Sequence, residues 1–232
     1  MTTTPAGGRG RGQVLAPASF LDVLPEVGRD RVLAVAGRRV YPARSPLVHQ
    51  GDVADALFIV ESGSLAVRYT TVAGDSVMLA VLGAGDVFGE VALLSGDAER
   101  TATIEAIDEV AVRALRKDDF DALRHKFIEV DDFLLHVLAR RTDRLTRLVA
   151  EAHHLPVDRR IARRLLETGR HFSKGVLPVV VPLTQEDVAQ LAGATRPTTN
   201  QVLKRYEADG VLRLARGRVE IHDVAGLRER AR

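Results

Sequence analysis

Two side chains suited to gripping a small anionic ligand stand ten positions apart, Glu90 and Arg100, in Phe88-Gly89-Glu90-Val91-Ala92-Leu93-Leu94-Ser95-Gly96-Asp97-Ala98-Glu99-Arg100-Thr101-Ala102-Thr103. An ionised glutamate can only accept hydrogen bonds, which suits sugar hydroxyls, whereas an arginine fork matches two phosphate oxygens. Gly89 lacks a Cβ and lets backbone approach an anion closely. Amides opening a short turn over Val91–Leu94, which begins beside Ala92, can donate to phosphate oxygens, and Thr101 adds a hydroxyl. The order therefore suits a ligand carrying both a diol and a phosphate. A surface loop closed by a Glu–Arg ion pair fits the spacing equally well.

A second constellation lies near the C-terminus. Thr184 is a good N-cap with Asp187 three residues on, and Val188, Ala189 and Leu191 supply an apolar side. Ala192-Gly193-Ala194 makes a tight turn, Thr195 caps a second helix running to about Asp209, and Pro197 is tolerated in its first turn. Two helices joined by a short glycine-containing turn make a helix-turn-helix. The second helix offers Val202, Leu203 and Tyr206 to a core and keeps Arg196, Thr198, Thr199, Asn200, Gln201, Lys204 and Arg205 as polar groups. Val211–Leu214 and Val219–His222, around a turn at Arg216 and Arg218, form a small wing. In this motif the start of the second helix meets base edges in the major groove. That assigns Arg196, Thr198 and Gln201 to bases and Lys204, Arg216 and Arg218 to phosphates.

These groups need elements to position them. From Arg39 to about Leu115 short β-rich runs (Leu57–Glu61, Ser64–Thr70, Val77–Leu82, Ala102–Ala106, Val110–Leu115) alternate with glycine-containing turns, which predicts an antiparallel barrel or roll. Phe20 to about Ala36 reads as short helices broken at Pro25 and Gly28. A helix from Lys117 precedes a longer one starting near Asp131 or Asp132. Its residues Leu134, Leu138, Leu145, Leu148, Ala152 and Leu155 follow alternating steps of three and four if Arg141 fills the missing place, which fits the seam of a parallel dimer better than a helix lying on its own domain's core. Pro156 ends that helix at a hinge, and Asp158 to about Phe172 is amphipathic, with Ile161, Leu165 and Leu166 inward and arginines outward. Val176–Leu183, holding Pro178 and Pro182, can only be an edge strand or a linker. The expected division is a disordered arm over 1–16, a roll over 17–130, a dimerisation helix over 131–155 and a DNA-binding domain over 156–232: an α+β fold.

Composition limits the function classes. The chain has 232 residues and no cysteine, so disulfides, thiolate catalysis and cysteine-ligated metal or iron–sulfur sites are excluded. From Pro156 onward 15 Lys and Arg face 9 Asp and Glu, a net of +6, which leaves 18 against 22, a net of −4, for the rest. A basic C-terminal part beside an acidic N-terminal part points to nucleic acid at one end. No nucleophile–base spacing, H-E-x-x-H or Walker pattern stands out, so no enzyme is expected. No stretch reads as a membrane span or a signal peptide, which predicts a cytoplasmic protein with no membrane partner.

The Phe88–Thr103 stretch closely resembles the phosphate-binding cassette of cyclic-nucleotide-binding domains, and 183–204 is similar to the DNA-binding module of the catabolite activator (Crp/Fnr) family. The resemblance runs from about Phe20 to the end. It implies an eight-stranded, cupin-like jelly roll, in which Glu90 holds the ribose 2′-hydroxyl and Arg100 the cyclic phosphate, with Gly89 and Thr101 completing the cradle. It also implies a homodimer, double-stranded DNA and RNA polymerase as partners, and a cyclic nucleotide effector, cyclic AMP before cyclic GMP, with no metal. Carried over by position, Thr184 and Gln185 lie near phosphates and Arg196 is the main base reader. The family's next glutamate is Pro197 here, and its second reading arginine falls on Gln201, so the family's best-known operator is not implied. The adenine-contacting hydroxyl pair falls on Leu145 and Thr146, and only Thr146 keeps a hydroxyl. The alternative is a DNA-binding regulator whose roll is a ligand-independent scaffold or senses another effector, such as haem.

Overall fold

The computed structural model describes residues 19–96, 99–173 and 175–232. The expected arm over 1–16, with Arg9 and Arg11, lies outside the described residues, as do Asp97 and Ala98 of the cassette. Two short helices open the fold, α1 (Phe20–Val23) and α2 (Glu26–Val35), separated at Pro25 as expected. Gly28 is no break. It is buried within α2, where a Cβ would come 3.3 Å from the Phe127 ring, so its role is close packing.

Eight strands follow: β1 (Gly37–Tyr41), β2 (Pro46–Val48), β3 (Ala56–Ser62), β4 (Leu65–Thr70), β5 (Ser76–Leu82), β6 (Val87–Phe88), β7 (Thr103–Ala106) and β8 (Val110–Arg116), with α3 (Glu90–Ser95) between β6 and β7. They form two antiparallel four-stranded sheets, in the orders β1-β8-β3-β6 and β2-β7-β4-β5, the expected jelly roll. Val48, Phe58, Val60, Leu65, Ile104 and Val112 fill the space between the sheets. Gly51, Gly63, Gly74 and Gly85 have positive φ at the connections, the conformation that glycine adopts without a steric cost.

Helix α4 (Lys117–Lys126) gives way at Phe127 to α5 (Ile128–His154), which starts a few residues earlier than expected. The first residue of the expected seam turns inward instead. Leu134 is 2% exposed in a core with Phe20, Leu57, Leu115 and Phe120, because α5 packs against α1 and against α4, which itself lies on β3 and β8. The apolar stripe left uncovered runs through Ile128, Leu135, Leu145 and Val149, which are 73%, 64%, 51% and 59% exposed. Ile128, Leu135, Thr142 and Val149 recur every seventh residue, and Leu138, Leu145 and Ala152 fall three further on. That is a heptad a/d pattern facing away from the roll.

The C-terminal part comprises α6 (Val157–Phe172), β9 (Val179–Val181), α7 (Gln185–Ala192), α8 (Arg196–Ala208), β10 (Leu212–Ala215), β11 (Arg218–Ile221) and α9 (Val224–Arg230). Among the described residues β9 pairs only with β11, at the sheet edge, where Pro178 and Pro182 are harmless. Not every arginine of α6 points outward: Arg164 is buried between Glu151 and Glu167. The closing helix α9, capped by Asp223, was not anticipated. The core of this part (Ile161, Leu165, Val188, Leu203, Tyr206) continues without a gap into Ala66, Met78 and Val81 of the roll.

Candidate functional site

The cassette begins where β6 must turn into α3 within one residue. Gly89 makes that turn at φ 90°, and a Cβ there would collide with Arg100 Nη1 and lie 2.9 Å from the Ala56 carbonyl oxygen. Glycine is required twice, for the dihedral and for the space. Glu90 then opens α3 fully buried, and Arg100 arrives beside it at 4% exposure. Together with Val48, Val67, Leu82, Phe88 and Ile104 they enclose a cavity of about 450 Å³ including its open mouth. Gly89, Val91, Ala92 and Thr101 line the same cavity, so the structure brings together every cassette residue singled out from the sequence. Thr146 does not join them. Its hydroxyl donates to the Thr142 carbonyl at 2.9 Å on the exposed face of α5, so this single chain presents no base contact there.

The two charges do not satisfy each other. Arg100 reaches Asp55 at a long 3.4 Å through Nη2 and lies 5.3 Å above the Phe58 ring, which itself stacks on Phe88 at 4.7 Å. Its Nε and Nη1 have no partner among the described residues, nor has Glu90 Oε2. Burial lowers the Arg100 pKa, with Asp55 and Asp52 opposing, and burial raises that of Glu90 against Arg141 and Arg100. Buried charges with free hydrogen-bonding atoms are costly unless a partner meets them. What the cavity lacks is two acceptors in front of a guanidinium and a donor in front of a carboxylate. A sugar phosphate carries both, so the residues present fit the group that the cassette implies.

Arg141 was missed as a site residue. Its Nη1 donates to Glu90 Oε1 and its Nη2 to the Val87 carbonyl oxygen at 2.7 Å, so it walls the cavity rather than filling a place in a seam. The available signal was the lone cation in an otherwise apolar series. Arg144, three residues further along α5, donates to the Leu79 carbonyl oxygen at 2.7 Å.

The raised Glu90 pKa has a measurable sign. A carboxyl whose folded pKa exceeds its unfolded value contributes stability below the unfolded value and loses it as pH rises through the folded one. Unfolding free energy of the ligand-free protein, measured against that of Glu90→Gln by denaturant titration, is expected to fall from about pH 4.5 upward and then level off. A constant difference between the two proteins across that window would show that burial does not govern this carboxyl.

The second constellation is also assembled. Thr184 caps α7 through a reciprocal box with Asp187, its Oγ1 donating to Asp187 Oδ2 at 2.7 Å. Thr184 is exposed and Gln185 half-buried at the start of α7. Arg196, the first residue of α8, is exposed, as are Gln201, Lys204, Arg216 at the wing turn and Arg218, which pairs with Glu220 at 2.8 Å. Thr198 is half-buried, its hydroxyl 2.9 Å from that of Thr195. Thr199 is corrected: it is fully buried, on the same face of α8 as Val202, Leu203 and Tyr206, and cannot reach DNA. The exposed series instead gives α8 one polar, cationic face beside a basic wing, which suits a phosphate-lined groove.

Comparison with known proteins agrees with both halves. Residues 38–127 match the cyclic nucleotide-binding domain family and residues 159–230 the Crp-like helix-turn-helix domain family. The chain is 34% identical over 200 residues to the cyclic AMP receptor protein of Thermus thermophilus, covering 86% of this chain and 90% of that one. It is 33% identical over 210 residues to the CRP-like cAMP-activated global transcriptional regulator of Mycobacterium tuberculosis, covering 86% and 92%. The crystal structure of Thermus thermophilus catabolite activator protein superposes with a TM-score of 0.52 at 32% identity, covering 91% of this chain and 97% of that one. That of the c-di-GMP responsive regulator CLP of Xanthomonas campestris gives 0.74 at 23% identity, covering 85% and 99%, a likeness of fold.

Proposed function

Since this chain belongs to the Crp/Fnr family of transcription regulators, with a cyclic nucleotide-binding domain followed by a Crp-like DNA-binding domain, we propose that it is a homodimer whose DNA affinity is set by cyclic AMP held in the roll. The observation that carries this reading is the pair of buried, incompletely partnered charges facing one cavity. Glu90 Oε2 accepts from a ribose hydroxyl, and the free Nε and Nη1 of Arg100 donate to the cyclic phosphate, with Thr101 and the first α3 amides beside it. Two copies of α5 pair along the stripe through Leu135, Leu145 and Val149. Pairing removes exposed leucine and valine from water, each worth about 1.5–3 kcal/mol when fully buried. It also brings a second Leu145 and Thr146 toward the open mouth of the cavity, on the base side of the ligand.

Pairing further sets the two α8 helices to meet successive major grooves about 34 Å apart. Ligand acts by binding more tightly to the arrangement that fits DNA, and DNA must then tighten ligand by the same factor. The protein works in the cytoplasm with RNA polymerase as its downstream partner. Calorimetric titration with cyclic AMP and cyclic GMP, run beside operator binding at fixed salt, tests the reading. Saturable heat with cyclic AMP, at one site per subunit of a dimer, and at least a fivefold gain in operator affinity are expected. No heat from either nucleotide, with operator affinity unchanged, would leave the roll as a scaffold.

A further inference from the structure

The inference rests on the functional reading above and concerns how the cavity and the DNA-reading helices are joined. One strand pair, β4 with β5 at the edge of its sheet, serves both. Val67 and Leu82 face the cavity, while Ala66, Met78 and Val81 belong to the same apolar core as Val188, Leu191 and Ala192 of α7. Side chains alternate between the faces of a strand, so a shift of the cavity wall is also a shift of the surface on which α7 rests.

Arg68 stands at the junction. Its Nε donates to Glu105 at 3.1 Å within its own sheet, its Nη1 to Gln190 at 2.9 Å and its Nη2 to Asp187 at 2.5 Å, both on α7. The Arg68 and Asp187 side chains are only 20% and 13% exposed, so this is not a solvated surface pair. The strand pair is irregular at the same point: Val67 pairs with Ala80 and Arg68 with Met78, which leaves Leu79 as an extra residue on β5. Bulges re-aim side chains and bend the strand that carries them. The carbonyl of Leu79 accepts from Arg144 of α5, which also lies 3.8 Å from Glu167 of α6.

We propose that Arg68 is a positioning residue that clasps α7 to the outer face of the cavity-walling strand pair and so couples ligand binding to the placement of the DNA-reading helices. It touches neither ligand nor DNA. An arginine is needed because a planar fork can hold Glu105, Gln190 and Asp187 together, which a point charge cannot.

The test uses the full chain and two readouts. Operator affinity is measured with and without cyclic AMP in wild type, Arg68→Leu, Arg68→Lys, Gln190→Leu and the double variant Arg68→Leu/Gln190→Leu. The ratio of the two affinities is expected to shrink at least threefold in Arg68→Leu, to be partly kept in Arg68→Lys, and to fall no further in the double variant than in Arg68→Leu. A role in folding alone would lower both affinities together and leave the ratio where it was. For the second readout, the absence of native cysteine allows spin labels on Asp75→Cys and Glu186→Cys, both exposed positions. The label-to-label distance distribution is expected to broaden when Arg68→Leu is added. An unchanged distribution overturns the clasp whether or not the wild type answers to cyclic AMP. An unchanged ratio in a responsive protein overturns the coupling. Wild-type operator affinity indifferent to cyclic AMP overturns the functional reading and the coupling with it, while the label distances still decide on the clasp.

Discussion

Arg100→Leu is expected to weaken cyclic AMP binding at least a hundredfold and to leave the ligand-free protein as stable as wild type or more so. The first effect follows from losing two charge-assisted hydrogen bonds to phosphate in a buried site, at about 1.5–3 kcal/mol each, so roughly 3–6 kcal/mol together. The second follows from what Arg100 lacks without ligand: Nε and Nη1 are buried and unpartnered, and its one ion pair is the long 3.4 Å reach to Asp55. Exchanging an ill-paired buried charge for an apolar side chain is often neutral or stabilising. Calorimetry with cyclic AMP and a thermal melt of the ligand-free protein read the two halves separately. Wild-type affinity in the variant would remove the cradle from consideration. A large fall in melting temperature would mean that Arg100 holds the roll together rather than waiting for a phosphate.

Arg196→Ala is expected to cost about 30-fold or more in operator affinity while moving non-specific DNA binding little. Arg196 opens α8, is exposed and has no hydrogen bond or ion pair among the described residues, so its removal takes nothing from the fold. A bidentate arginine–guanine contact discriminates by about 1–3 kcal/mol, and a two-fold symmetric complex makes it twice, about 2–6 kcal/mol in all. An operator obtained by in vitro selection, compared with scrambled duplex over a series of salt concentrations, gives the measurement. The salt slope should hold, because a base contact releases no counterions. Equal losses on both duplexes would reassign Arg196 to the phosphate backbone.

The cassette was legible because its parts are neighbours in the chain. Gly89, Glu90, Arg100 and Thr101 share one strand–helix–strand connection, and their types fix the chemistry that they can do. Arg141 was not, since it meets Glu90 from 51 positions away and its spacing mimicked a gap in a seam. Leu134 was placed in that seam for a related reason. Alternating threes and fours select a helix but not which of two adjoining apolar faces turns toward the roll, and Leu134 went inward while Leu135 stayed outside. Thr199 could have been placed, because it shares the period of Val202, Leu203 and Tyr206. β1 escaped notice because four of its five residues are exposed, and β6 because it has only two residues, which leaves no alternation to read. Arg68 gave no signal at all: its partners on α7 lie 119 and 122 positions further on, in another domain.

The left-handed residue at the head of α3 bears on how natural variation in this chain is read. Adding one methyl group there leaves every charge and every polar atom of the chain in place, yet it drives the guanidinium out of its seat. Sensitivity to the effector would vanish through a change between two small neutral residues, and a survey that ranks substitutions by lost charge would pass over it.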